Sequence, residues 1–277
     1  MMKNMKKIWA AVLALAMMGS LAACGGSNNS GNDTPSDGDT ADKEIVYAVE
    51  AGSAGEAVAQ ENGYTYNSVS SQADTLMEVA AGTSDAAIID LLMAGAMIGE
   101  GTSYPNLTYT DSLTEEEYGV GCRQGSDLAD YINNVFAEAY ADGTMASLAD
   151  TYGIAQDVII EQGEADDFTP AEDSDVAYIQ DKGKLVVGIT DFAPMDYKDD
   201  NGNWIGFDAD MARLVAEKLG VEAEFVVIDW DLKIMELDAK NIDVVWNGMT
   251  LTDEVTSSMN CTNPYFKNAQ VVVVPAE

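Results

Sequence analysis

From Ile45 onward, short apolar runs alternate with amphipathic segments, and no other feature of the sequence narrows the fold so far. "IVYAVEAG" reads as a strand closed by a glycine turn, and Ser53 to Asn62 as a helix with Ser53 as its N-cap. "TYNSV" is a short strand, "ADTLMEVAAG" a helix stopped by Gly82, and "DAAIID" a buried strand. A helix over Leu91 to Gly99, strands at "LTYT" and "EEYGVGC", and the long amphipathic helix "SDLADYINNVFAEAYADG" complete this half. An acidic stretch carrying Pro170, Glu161 to Asp175, reads as a linker. The pattern then starts again: strand "GKLVVGIT", a turn, a helix ending at Lys218 and Gly220, strand "EAEFVVI", helix "DLKIMELDAKN" and strand "IDVVWNGM". The last segment holds four consecutive valines, Val271 to Val274, suited to a strand buried on both faces. Strands alternating with helices over this length predict an α/β fold with mostly parallel sheets, and two such sets predict two lobes. In open sheets of this kind, ligands sit at the carboxyl ends of strands. Here those ends are "EAGS", "IIDLL", "TDFAP", "IDWD" and "WNGMT".

The first residues are set apart from this pattern. Lys3, Lys6 and Lys7 precede an apolar run, Ile8 to Met18, that is short for a membrane span. "LAAC", ending at Cys24 and followed by two glycines, resembles a bacterial lipobox, so Cys24 is the expected lipidation site. Gly25 to Asp42 is almost devoid of apolar side chains and is expected to be a flexible tether. These features predict an exported lipoprotein on the outer face of the cytoplasmic membrane, touching the bilayer only through its anchor.

Formal net charge is −35 over 277 residues, and a body so acidic is not built for nucleic acid. Histidine is absent, which excludes histidine-based triads and histidine-ligated metal centres. No cofactor or metal is expected. Cys122 and Cys261 remain beside Cys24, and export permits a disulfide between them.

"GKLVVGITDFAPMDYKDDNGNWIGFDADMARLVAEKLGVEAEFVVIDWD" resembles the first lobe of the polar-amino-acid solute-binding proteins of ABC importers. "IDVVWNGMTLTDE", "NPYFKNAQVVVV", "EAGSAGE", "DAAIID" and "EEYGVGCRQGSDL" continue the resemblance. It implies a two-lobed, periplasmic-binding-protein-like fold of type II, each lobe a mostly parallel sheet flanked by helices, with two hinge strands. The order differs from the family's, in which the "GKLVVG" segment comes first and "QVVVV" lies mid-chain. The resemblance therefore implies a circular permutation. On that mapping residues 1–23 are a signal peptide, 24–43 the tether, and 44–117 one lobe, completed by 270–277. Residues 118–160 are a hinge strand and terminal helices of the other lobe, 161–175 the linker joining the ancestral ends, and 176–269 the main part of that lobe.

The resemblance also implies the site. Phe192 and Trp230 match the aromatic side chains that lie over the ligand, and Asn247, Gly248 and Thr250 match the segment offering backbone groups and a hydroxyl to its α-carboxylate. Ser53 opens a helix whose N–H groups face an anion, and Asp90 matches the carboxylate that takes the α-ammonium group. One departure stands out. The arginine that the family places shortly after Thr250 is replaced by Val255, and the chain's arginines, Arg123 and Arg213, map elsewhere. Removing one partner of a buried charged pair costs about 3–5 kcal/mol. With Glu50 and Asp90 facing inward, the ligand expected is a small polar solute that is cationic or lacks a free carboxylate. The alternative is an amino acid held by backbone N–H groups and helix ends alone. The function implied is capture of that solute by a monomeric receptor and delivery to an ABC permease. A non-transporting sensor and a dehydratase-like enzyme on the same scaffold are the competing readings. Without histidine or a pocket arginine no acid–base dyad is apparent, and an enzyme is not expected.

Overall fold

The computed structural model describes residues 44–276. The signal segment, Cys24 and the tether lie outside the described residues. Two sheets organise the body. In chain order the first half contains β1 (Val46–Glu50), α1 (Ala54–Glu61), β2 (Thr65–Val69), α2 (Gln72–Ala81), β3 (Ala86–Asp90), α3 (Leu91–Met97) and β4 (Leu107–Tyr109). β5 (Glu116–Cys122), α4 (Leu128–Ala141), α5 (Thr144–Thr151) and α6 (Asp175–Lys182) follow. The second half contains β6 (Lys184–Ile189), the hairpin β7 (Tyr197–Lys198) and β8 (Trp204–Ile205), α7 (Phe207–Leu219), β9 (Glu222–Val227) and α8 (Lys233–Asp238). It closes with β10 (Val244–Thr250), α9 (Asp253–Ser258), β11 (Asn260–Cys261), β12 (Phe266–Asn268) and β13 (Gln270–Pro275).

The two sheets share one plan. The first runs β2-β1-β3-β13-β4 and the second β9-β6-β10-β5-β11. In each, the first three strands are parallel and the last two run antiparallel to their neighbours. In each, the fourth strand comes from the other half of the sequence. β5 leaves the first lobe to pair with β10, and β13 leaves the second lobe to pair with β3. The valine run supplies that β13 strand: Val271 and Val273 are wholly buried, with Val272 and Val274 half-buried. The fold is thus the two-lobed α/β architecture expected, with β5 and the β12–β13 segment as the crossings.

Local chemistry sets the element ends. Ser53 caps α1 and Ser71 caps α2, each accepting the N–H three residues on. Gly82 ends α2 at φ +73, a left-handed turn that glycine adopts without a Cβ clash. The helix expected over Leu91 to Gly99 stops at Met97. The stretch after Glu161 has no regular structure until α6, yet it is tacked down: Gln162 donates to the Pro264 carbonyl at 2.9 Å and Phe168 packs edge-on to Tyr131. Cys122 and Cys261 are free thiols. Cys261 lies opposite Gly121 and Cys122 opposite Asn260, so the pleat sends the two side chains to opposite faces of the sheet. The disulfide that export permits is not formed.

Candidate functional site

The carboxyl ends of β1, β3, β6 and β10 meet between the lobes, as the open-sheet rule requires. They enclose a cavity of about 310 Å³, and Glu50, Ser53, Asp90, Phe192, Trp230, Asn247, Gly248 and Thr250 all line it. The structure therefore brings every site residue expected from the sequence to one place. Val255 lines it too, on α9, packed within an apolar group that includes Trp230 and Met249. Arg123 is spent elsewhere, donating to the Ile242 carbonyl at 2.8 Å and to Asp175 at 3.0 Å. Arg213 pairs with Asp210 at 2.8 Å.

The lobes touch directly above this cavity. Gly52, at φ +70, approaches so near to Asp231 that a Cβ there would lie 2.6 Å from the Asp231 Cα. Lys233 Nζ, on α8, crosses the cleft to donate to the Gly52 carbonyl at 2.8 Å and returns a second bond to the Trp230 carbonyl at 3.2 Å. Among the described residues, Lys233 is the one cation lining the cavity. Burial lowers its pKa. The sequence reading missed Lys233, because a lysine in a short helix of alternating charge looks like a solvated face.

The groups expected to grip an α-carboxylate are already engaged. The Gly248 N–H donates to Asp208 at 2.6 Å, the Thr250 hydroxyl to Glu116 at 3.1 Å, and the Asn247 side-chain amide to Thr190 at 2.8 Å. At α1, the Ser53 hydroxyl accepts the Glu56 N–H at 3.1 Å while Glu56 accepts the Gly52 N–H at 2.8 Å. This reciprocal capping box puts a carboxylate on the helix end, where it offsets the dipole that would attract an anion.

The carboxylates are a different matter. Asp90 caps no helix with its side chain. Its oxygens accept from Tyr118 at 2.8 Å, from Gln270 at 3.1 Å, and from the amides of Gln72 and Asn268. Burial, and then the nearby Glu116, raise its pKa to about 7. Glu50 is 3% exposed, and its Oε1 has no hydrogen-bond partner; nor has the Asn247 Oδ1. Burial, then Asp90, push Glu50 up to about 8. Two residues that line the cavity thus each hold a buried acceptor oxygen without a donor.

Behind the wall, Asp208 accepts from the Tyr265 hydroxyl at 2.8 Å as well as from Gly248. It fixes the turn at Gly248 (φ +57), where a Cβ would stand 2.4 Å from the Phe192 ring. Asp196 is fully buried nearby, and burial with the Asp208 charge raises its pKa well above the usual range. Neither acid was singled out from sequence: Asp208, in the first turn of α7, reads as a dipole partner, and Asp196 stands in the loop just before β7.

A two-lobed α/β body with ligand-sized space at its strand ends has the form of a small-molecule binding site. Comparison with known proteins makes this specific. Residues 185–277 match the model of the bacterial extracellular solute-binding proteins, family 3. The L-cystine-binding protein TcyJ of Escherichia coli is 35% identical over 88 residues, covering 31% of this chain and 33% of that protein. The arginine-binding extracellular protein ArtP of Bacillus subtilis is 33% identical over 93 residues, covering 33% and 36%. Among solved structures, arginine-bound domain 1 of TmArgBP is 37% identical with a TM-score of 0.32, covering 36% of this chain and 84% of that one. The matched part spans about a third of the length of the curated relatives.

Proposed function

We propose that the chain is an extracellular solute-binding protein, anchored by lipid at Cys24, that closes its lobes on a small cationic solute and delivers it to an ABC permease. The observation that carries this reading is the pair of unpartnered buried acceptors, Glu50 Oε1 and Asn247 Oδ1, beside the carboxylate of Asp90. An ammonium or guanidinium group brings donors and no acceptor, which suits that wall. The opposite requirement, a grip on an α-carboxylate, is poorly served: Val255 stands where the arginine is expected, and the neighbouring donors have internal partners. The solute is therefore an amine, or an amino acid recognised chiefly through its cationic end. We assign the cavity no catalytic step.

In the same reading the family's two halves are exchanged in order. That arrangement accounts for a match confined to residues 185–277 and for the two crossings between sheets. A chain re-joined with residues 176–277 ahead of 44–160 is expected to fold and bind as the natural order does.

Isothermal titration with L-arginine, agmatine, L-lysine and L-glutamine tests the ligand class. Agmatine, which lacks a carboxylate, is expected to bind at least as tightly as L-arginine, and L-glutamine to bind weakly. Tight binding of L-glutamine would overturn the reading. Val255→Arg is expected to reverse the first preference, raising affinity for L-arginine over agmatine by about tenfold or more.

A further inference from the structure

Glu50 holds a position that the proposed function does not by itself explain. It ends β1, lines the cavity while only 3% exposed, and has one buried oxygen without a hydrogen-bond partner. Its surroundings are mostly acidic. Asp90 at the end of β3 and Asp74 on α2 face it from its own lobe, and Lys233 on α8 faces it from the other. Glu61, Asp253 and Glu254 line the same cavity. The Thr190 hydroxyl, across the cleft, hydrogen-bonds to its carboxyl group and favours the charged form. Lys233 favours it as well, but its ammonium group is held by the Gly52 and Trp230 carbonyls rather than by Glu50.

Two carboxylates in one closed cavity, with one lysine committed to backbone carbonyls, cannot both stay charged at low cost. Asp90 is surrounded by four donor side chains that stabilise its anion. Glu50 has an oxygen with none. The proton therefore belongs on Glu50, and burial sets its loss at about pH 8. A cation entering the cavity beside Glu50 needs the carboxylate, not the acid.

We infer that Glu50 is a proton-exchange residue: it stays uncharged as the carboxylic acid in the empty cavity and gives up its proton when a cationic solute binds. The step balances. The Glu50 carboxylic acid and the cation go to a carboxylate–cation pair, and one proton passes to solvent. The inference rests on the cationic reading above and adds to it that uptake is linked to pH. Below about pH 8, affinity for a monocation should rise close to tenfold per pH unit, then level off. Such a receptor holds its cargo loosely in an acid environment and firmly in a neutral or alkaline one.

The test is calorimetric titration of residues 25–277 with agmatine and L-arginine at pH 7, in buffers of different ionisation enthalpy. The dependence of the observed heat on buffer enthalpy gives the protons released, and about 0.9 per cation bound is expected. Kd measured from pH 6 to pH 9 should follow the slope and plateau just given. Glu50→Gln should release markedly less proton than the wild type, bind the cation at least tenfold more weakly at pH 8, and show a flatter slope. Binding of agmatine with no proton release would overturn the inference and leave the cationic reading standing. Release as large in Glu50→Gln as in the wild type would also overturn it, placing the proton on Asp90. If neither cation binds while L-glutamine does, both readings fall. The wild-type buffer series stands whether or not the variant folds.

Discussion

Replacing Glu50 by Gln in the ligand-free protein should change how stability depends on pH. In the folded chain burial, and then Asp90, raise the Glu50 pKa from 4.5 to about 8. Between those values the folded state holds a proton that the unfolded chain has already lost. The folded state binds more protons, so stability falls as pH rises through this window and levels off above about pH 8. At about 1.4 kcal/mol per pH unit, the loss between pH 5 and pH 8 approaches 4 kcal/mol. Gln keeps the shape and cannot ionise. The variant should therefore match the wild type near pH 5 and exceed it by up to about 4 kcal/mol at pH 8. For a body of this size that is on the order of 10 °C in Tm. Urea midpoints at pH 5, 6, 7 and 8 without ligand measure the effect. Parallel curves for wild type and variant across the window would refute the argument that this buried acid is held protonated at the fold's expense.

Two further perturbations follow from the same geometry. Lys233→Met keeps the apolar stem and removes the ammonium group that bridges to Gly52 and Trp230; small-angle scattering should show a more open ligand-free average, with ligand Kd weakened about tenfold, reflecting roughly 1.5 kcal/mol for the lost charged hydrogen bond across the cleft. Gly248→Ala forces a Cβ against the Phe192 ring at 2.4 Å and onto a backbone at φ +57; a loss of about 1–3 kcal/mol in urea unfolding is expected, with weaker ligand binding because the aromatic wall must move.

The sequence made the frame legible because its signals are local and strong. "DAAIID" and "QVVVV" are apolar runs bounded by polar residues, and both became buried neighbours, β3 and β13. Site residues at strand ends were legible for the same reason, since the sheet plan sends those ends to one cleft. What escaped notice was set by distant partners. α6 carries Val176 and Ile179 inward but is otherwise polar, and it follows a linker that masks its pattern. Lys233 looks like any exposed helix lysine until Gly52 arrives from 181 residues away. Asp196 and Asp208 are buried only because the aromatic groups Phe207 and Tyr265 pack around them. The spent donors at Gly248, Thr250 and Ser53 were equally hidden, since a motif gives a position and not the partner that occupies it.

The hinge segments do more than connect the lobes. Asp90 belongs to β3 of one lobe, yet it accepts from Tyr118 on β5 and from Asn268 and Gln270 on the returning crossing. The same two amides donate to Glu116 on β5, at 3.1 and 2.9 Å. Both crossings are thus tied through two carboxylates, and one of those carboxylates lines the cavity. A hinge so constructed couples the position of Asp90 to the relative placement of the crossings, as apolar packing, which lacks direction, would not. Gln270→Leu preserves most of the buried volume and deletes one donor from each carboxylate. Each hydrogen bond to a charged group contributes about 1.5–3 kcal/mol, so a loss of roughly 3 kcal/mol or more is expected at pH 8, above the Asp90 pKa of about 7. The loss should shrink toward pH 5, because protonated Asp90 needs one donor fewer. Urea unfolding at the two pH values reads this directly, and a cost that is small, or equal at both, would show that the crossings are held by their apolar strands alone.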